Sequence, residues 1–228
     1  MAPFLYQESY GSAQIRGNAD LQNGYNYNID LRYELFEKNG DMLSITAYYK
    51  HLKAPIERVQ TLSGGSAVHS FRNADNGMAT GVEIEFRKEI VKDLRFGVNG
   101  SYMYTNVKLP EGGAYTNSQR ALQGASPYLA NADLTYSPAF SNDRQLSVAL
   151  LYNLQGPRIH SVGISGLGDI KQQPVHTLNF TGSYRFNRRF AVKLQVNDLL
   201  NQDILFKQEV PTTGDKVEVE RFRKGTGF

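Results

Sequence analysis

Residues 76–105 read NGMATGVEIEFRKEIVKDLRFGVNGSYMYT, and polarity switches at nearly every step. Met78, Thr80, Val82, Ile84 and Phe86 share one parity, while Ala79, Gly81, Glu83, Glu85 and Arg87 share the other. After a short turn over 88–93, Leu94, Phe96, Val98, Gly100, Tyr102 and Tyr104 alternate with Arg95, Gly97, Asn99, Ser101, Met103 and Thr105. Side chains alternate faces along a strand, so the pattern predicts a long hairpin with one apolar and one polar face. The apolar face needs a cover. The polar face carries Glu, Arg and Asn over its length and cannot be a packed core. The wall of a transmembrane β-barrel meets both demands, with lipid on one side and a polar lumen on the other.

The same alternation recurs along the chain. Tyr25, Tyr27, Ile29, Leu31, Tyr33 and Leu35 alternate with Asn26, Asn28, Asp30, Arg32 and Glu34. A turn holding the favoured Asn39-Gly40 pair leads into a second strand predicted over 42–60. A third strand enters near Val68 and runs into the hairpin. Further strands are predicted over 128–136, 146–154, 177–186 and 190–197, with a last segment over 217–228. The opening 3–23 reads as polar and irregular. The expected fold is all-β: an antiparallel meander of about nine long strands, part of a transmembrane barrel and not closed on itself.

Connections alternate short and long. Regions 59–67, 107–126, 156–174 and 207–215 are expected on one rim, facing outward, and the short turns on the other. Aromatic residues fall at strand ends, as interfacial girdles require. Phe36, Phe86, Phe96, Tyr136, Phe186 and Phe190 mark the short-turn ends, and Tyr25, Tyr27, Tyr49, Tyr104, Tyr128 and Tyr152 the long-loop ends. Val82, Ile84, Phe86, Val98, Leu134, Val148, Leu150, Phe180 and Val192 are expected to face lipid. Glu83, Glu85, Arg95, Asn99, Asp133, Asn179 and Lys193 are expected to face the lumen.

Composition excludes several classes. A net charge of +3 over 228 residues is too small to argue for nucleic acid. With no cysteine, disulfide and thiolate chemistry are unavailable. Apolar runs such as 148–152 fall far short of the roughly 18 residues of a membrane helix. A mean hydropathy of -0.45 is compatible with a wall that is apolar on one face only. The N-terminal MAPFLYQESYG has no basic stretch followed by an apolar one and is not a signal peptide.

No catalytic, cofactor or metal site is expected. His51, His69, His160 and His176 form no ligand-spaced cluster. Asn73-Ala74-Asp75 and Asn197-Asp198 read as polar strand ends. Glu83 and Glu85 share a face, but paired-carboxylate catalysis needs a cleft, and Arg87, Arg95 or Arg185 are more natural partners. The glycine-rich Gly163-Ile164-Ser165-Gly166-Leu167-Gly168 is followed by no helical pattern, so phosphate cradling is not expected. Arg158 and His160 read as solvated loop residues, with ligand contact the alternative.

Five pieces carry a family resemblance: APF followed by GNADLQ, then RNADNGMATGVEIEF, LQGASPYLANADLTYSP, YNLQGPRIHSVG and LQVNDLLNQ. In order and spacing the chain resembles the C-terminal part of TonB-dependent outer-membrane receptors, particularly those of Bacteroidetes. In that family a barrel of about 22 strands surrounds an N-terminal plug. The resemblance implies that residues 1–228 hold roughly the last nine strands, without the plug, a TonB box or the end of the closing strand, since RFRKGTGF lacks the closing alternation. It implies a receptor in the outer membrane of a Gram-negative cell. Such a receptor binds an extracellular nutrient and imports it with energy from the TonB complex acting through the plug. The substrate and its contact residues are unknown at this stage. A barrel enzyme with a site at its outer rim and a soluble β-sandwich binding module are the alternatives. Free edges are expected at 25–36 and 217–228.

Overall fold

A computed structural model describes residues 7–10, 13–63, 66–110, 115–138, 140, 144–164 and 166–228. Residues 1–6, Gly64 and Gly65, Ser165 and much of the turn expected near 141–144 lie outside the described residues. In chain order the strands are β1 (Gln7–Tyr10), β2 (Ala13–Arg16), β3 (Tyr25–Phe36), β4 (Met42–Lys53), β5 (Ile56–Ser63) and β6 (Ser66–Asn73). Then come β7 (Asn76–Val91), β8 (Leu94–Lys108), β9 (Gln119–Arg120), β10 (Tyr128–Tyr136), β11 (Gln145–Gln155) and β12 (Arg158–Ser161). β13 (Ile170–Gln172), β14 (Val175–Asn187), β15 (Phe190–Val196), β16 (Ile204–Glu209) and β17 (Lys216–Phe222) follow. No helix occurs among the described residues.

The main sheet runs β3-β4-β7-β8-β10-β11-β14-β15, all antiparallel, with the short β9 beside β8. Within it β3 pairs with β4 alone and β15 with β14 alone, so among the described residues the sheet is open, as expected. One edge is β3, as predicted. The other corrects the expectation: it is β15, touched at Asn197 by a single antiparallel bridge to Gly227. Strand β17 instead closes a separate sheet, β12-β13-β16-β17. A third sheet, β1-β2-β6-β5, includes a parallel pair, β2 with β6. The opening segment is therefore partly regular, and its one parallel pair lies outside the main sheet, which is antiparallel throughout, as expected.

The register carries the two-faced reading across the whole sheet. Leu35, Leu43, Phe86, Val98, Ala132, Tyr152 and Leu178 lie opposite one another in one row. The neighbouring row reads Glu34, Ser44, Glu85, Asn99, Asn131, Asn153 and Thr177. Every residue assigned to lipid falls on the first face and every residue assigned to the lumen on the second. On the apolar face Ile29 and Leu31 are 73% and 76% exposed, a burial pattern no soluble core would leave. On the polar face Asn131 donates to Asn99 at 2.7 Å and Asn153 donates to Asn131, a ladder crossing β8, β10 and β11.

Strand β7, at 16 residues, exceeds the roughly 9–11 that a tilted strand needs to cross a bilayer. The strand expected over 42–60 is broken instead. Ala54 takes a left-handed φ of 50° before Pro55, which lacks a donor, so β4 stops and β5 starts in another sheet. Pairing of Tyr25 with Lys53, Lys53 with Asn76 and Asn76 with Lys108 puts these strand ends in one line. All long connections leave from that side, and the short turns close the other, as the loop lengths predict. The long connections are not bare loops: they carry β5, β6, β9, β12, β13 and part of β16.

Candidate functional site

The long-loop rim is where backbone leaves the wall and side chains converge. Its arms are anchored by local polar contacts. Asn73 donates its amide to the carbonyls of Gln22 (3.0 Å) and Ala54 (2.8 Å), and its oxygen accepts from Gln22 N–H at 2.8 Å. Asn18 donates to the Phe71 carbonyl at 2.9 Å. Asn73 is thus a joint, consistent with a strand-end polar position. Asp198 and Asn201 take left-handed φ values of 55° and 42°, and Asp198 N–H donates to Asn179 at 2.9 Å. They shape the turn after β15.

Beside these joints lies an open cleft of about 630 Å³, lined in part by Asp20, Phe71, Arg72, Asp75, Pro110 and Tyr115. It offers carboxylates, a guanidinium and aromatic rings in one place, which suits a polar organic ligand. Behind it the rim has a small core of Val59, Ala74, Val107 and Leu109, with Tyr115 and Leu122 packed against it.

Charge is buried in the rim as well. Arg120 of β9 and Glu57 of β5 form an ion pair at 2.9 Å with side chains only 3% and 7% exposed. Burial pushes the Glu57 carboxyl above its ordinary range, and the Arg120 charge pulls it partly back. Next to this pair Gln123 donates to the His160 carbonyl at 2.7 Å, and Gly124 N–H donates to Ile159 at 3.0 Å. Tyr115 and Ile164 form an isolated bridge, and Thr116 N–H donates to Gly163 at 2.8 Å. Segment 115–125 therefore ties the β5–β6 arm to the β12 arm.

The four histidines separate into two kinds. His51 sits on the apolar face with its ring 6.2 Å from that of Tyr27, and His176 Nδ1 meets the Tyr152 hydroxyl at 2.5 Å. His69 and His160, far apart in sequence, share the rim. His69 is buried, and its pKa is held down to about 4 by burial first, then by the Arg58 and His160 charges. His160 is lowered too, by burial and Arg58, with Glu220 opposing. Its ring packs edge-on against Phe206 at 4.7 Å.

Other candidates resolve simply. Glu85 pairs with Arg87 at 2.6 Å on the polar face, whereas Arg95 stands opposite Glu89 and Arg185 opposite Gln145. Arg158 donates to Gln172 Oε1 at 2.7 Å within its own arm. In the glycine-rich turn Gly163 N–H is taken by Asp169 at 2.8 Å and Gly168 N–H by the Glu209 carbonyl at 3.1 Å. Among the described residues no group of three or more His, Cys, Asp or Glu is placed to hold a metal ion. What sequence reasoning missed is the Glu57–Arg120 pair and the placing of His69 and His160 both within reach of the Arg58 charge. Their spacing in the chain carries no signal, and they lie in different sheets, so only the arrangement of the rim arms relates them.

A family model described as "TonB dependent receptor-like, beta-barrel" matches residues 2–199. No curated protein matches the sequence. Among solved structures the chain is similar to the ferric enterobactin receptor of Pseudomonas aeruginosa, at 19% identity and a TM-score of 0.60. That match covers 84% of this chain and 28% of the receptor. It is similar to the ferric yersiniabactin uptake receptor of Yersinia pestis, at 19% identity and a TM-score of 0.58, covering 80% and 25%. A copper transporter, OprC, matches at 14% identity and a TM-score of 0.61, covering 89% and 31%. The chain therefore spans about a quarter to a third of the length of each.

Proposed function

Because this chain belongs to the TonB-dependent receptor β-barrel family, we propose that it is a section of barrel wall in an outer-membrane active-transport receptor. The receptor takes a nutrient from outside a Gram-negative cell and passes it inward on energy from the TonB complex. In this reading residues 1–228 are the C-terminal part of the barrel, the plug that meets TonB is supplied elsewhere in the polypeptide, and lipid covers the apolar face. The Bacteroidetes-type motifs RNADNGMATGVEIEF and LQGASPYLANADLTYSP favour that branch of the family.

The observation that carries the reading is the separation of faces across eight paired strands, apolar residues in one set of rows and polar residues in the other. A transport wall needs a lipid side, a hydrated side and a structured mouth. The mouth is the long-loop rim with its polar cleft. Ferric siderophores and copper, the cargoes named for the structural neighbours, make the first panel of candidates. The test is uptake of labelled cargo by cells expressing the receptor. Uptake is expected to vanish both on deletion of the receptor and on inactivation of the TonB system. Uptake that persists without TonB would overturn the energised-transport reading.

A further inference from the structure

Where the apolar face meets the long-loop rim, the register builds two rows of a different kind. Tyr25, Lys53, Asn76, Lys108 and Gln119 stand opposite one another across β3, β4, β7, β8 and β9. The next row on that face, two residues further from the rim, reads Tyr27, His51, Met78 and Asn106. Neither row holds an Asp or Glu, and Asp75, beside Asn76 in sequence, lines the rim cleft instead. Lys53 and Lys108 are exposed, and among the described residues neither is in an ion pair. Two strand spacings, about 10 Å, separate their backbones, so both long side chains can reach one anion between them. Lys88, at the opposite end of the same face, is answered by the Asp41 carboxylate at 4.0 Å. Below the two polar rows a groove of about 440 Å³ opens on the apolar face. The register sets small Ala47 and Thr80 between Ile29 and Leu31 on one side and Tyr102 and Tyr104 on the other. The groove begins four residues from the lysines, roughly 13 Å along the strand.

We propose that these rows and the groove below them form a binding site for an anionic phospholipid: Lys53 and Lys108 take its phosphate headgroup, and the groove takes an acyl chain. The site rests on the reading that lipid covers the apolar face, and adds that one class of lipid is held at one place on it. The order of layers matches the order of groups in such a lipid. Cations lie outermost, where a lysine ammonium binds phosphate as a point charge. Tyr27, His51 and Asn106 follow, with donors at the depth of the ester linkages. The apolar groove comes last. A zwitterionic lipid brings the same chains but no net charge, so the lysines decide between the two. Near a membrane surface each lysine favours the anionic lipid by about fivefold, and the pair by roughly twenty-five-fold.

Displacement of a brominated lipid tests the site in the full receptor reconstituted in bilayers. The chain has no cysteine, so Ile29→Cys beside the groove and Leu150→Cys elsewhere on the apolar face can each carry a fluorophore. The bilayer is phosphatidylcholine with brominated chains, which quench on contact, and unbrominated phosphatidic acid is added in steps. Quenching is expected at both positions before the addition, since lipid covers the face. Relief at position 29 is expected at a ratio of phosphatidic acid to phosphatidylcholine roughly twenty-five-fold lower than at position 150, where the added lipid only dilutes the quencher. Lys53→Gln with Lys108→Gln is expected to bring the two positions together; both side chains are exposed, so the fold is expected to survive. Equal relief at the two positions, a preference that survives the double variant, or relief reversed by an equal amount of inorganic phosphate would each overturn the lipid site. Absence of quenching at both positions would instead overturn the lipid-covered wall, and the site with it.

Discussion

The wall and the long-loop rim are built from the same kind of strand and held together by different forces. In the wall, ladders run unbroken over rows of eleven and twelve residue pairs, and almost nothing is buried: every residue of β3 is exposed. Its cohesion lies in backbone hydrogen bonds, and in the proposed receptor lipid covers its apolar face. In the rim the strands are short, four residues in β12 and three in β13. Cohesion there comes from a small apolar core, a buried ion pair and side chains that bond to distant backbone. The wall is thus specified by its solvent, the rim by its own contacts. The difference teaches where each region breaks: the wall when its faces are confused, the rim when one partner is removed.

The largest effect is expected in the rim. Glu57→Ala leaves Arg120 charged and buried, at a cost of about 3–5 kcal/mol. The loss should be local, measured as faster amide exchange in β5, β9 and β12 with β7 and β8 protected as before. Exchange rising equally in the wall would dissolve the distinction between the regions. Next comes a paired test of the faces. Ile84→Lys places a charge on the apolar face, which lipid covers in the proposed receptor, and should lower barrel stability by roughly 2–4 kcal/mol, while Glu83→Lys, one residue away, should cost far less. Assembly assayed by heat-modifiable electrophoretic mobility reads both. The smallest effect concerns charge at the surface of the β16–β17 arm, where Arg221 bonds Glu218 at 2.7 Å. The Arg221 hydrogen bond lowers the Glu218 carboxyl pKa, but both groups lie open to solvent. Glu218→Gln should leave the melting temperature of the arm unmoved, because exposed pairs are screened and entropically costly. A clear drop would show that the rim uses surface charge as it uses the buried pair.

The same contrast explains what was legible in the sequence. The wall is local information: Tyr25 to Leu35 alternate, so β3 and its two faces follow from side-chain period alone, and the Asn39-Gly40 turn sets its register with β4. Strand ends at Phe36, Tyr128 and Tyr136 were readable for that reason. The rim is non-local. Nothing around Arg120 in a Gly- and Asn-rich stretch says that it will meet Glu57 of β5. The break at Ala54–Pro55 carried a signal in the proline, which the continuing alternation outweighed. The parallel β2–β6 pair needed a long-range contact that no periodicity encodes.

The central claim, that one sheet separates lipid from a hydrated lumen, is tested most directly along β7. The chain has no cysteine, so single cysteines at positions 82 to 86 can be spin-labelled one at a time in the membrane-assembled protein. Collision with oxygen, which partitions into lipid, and with a water-soluble nickel chelate then reports each side chain's surroundings. The account predicts an alternation of period two: Val82, Ile84 and Phe86 favour oxygen, Glu83 and Glu85 favour the chelate. Equal access of the chelate to all five positions would contradict it.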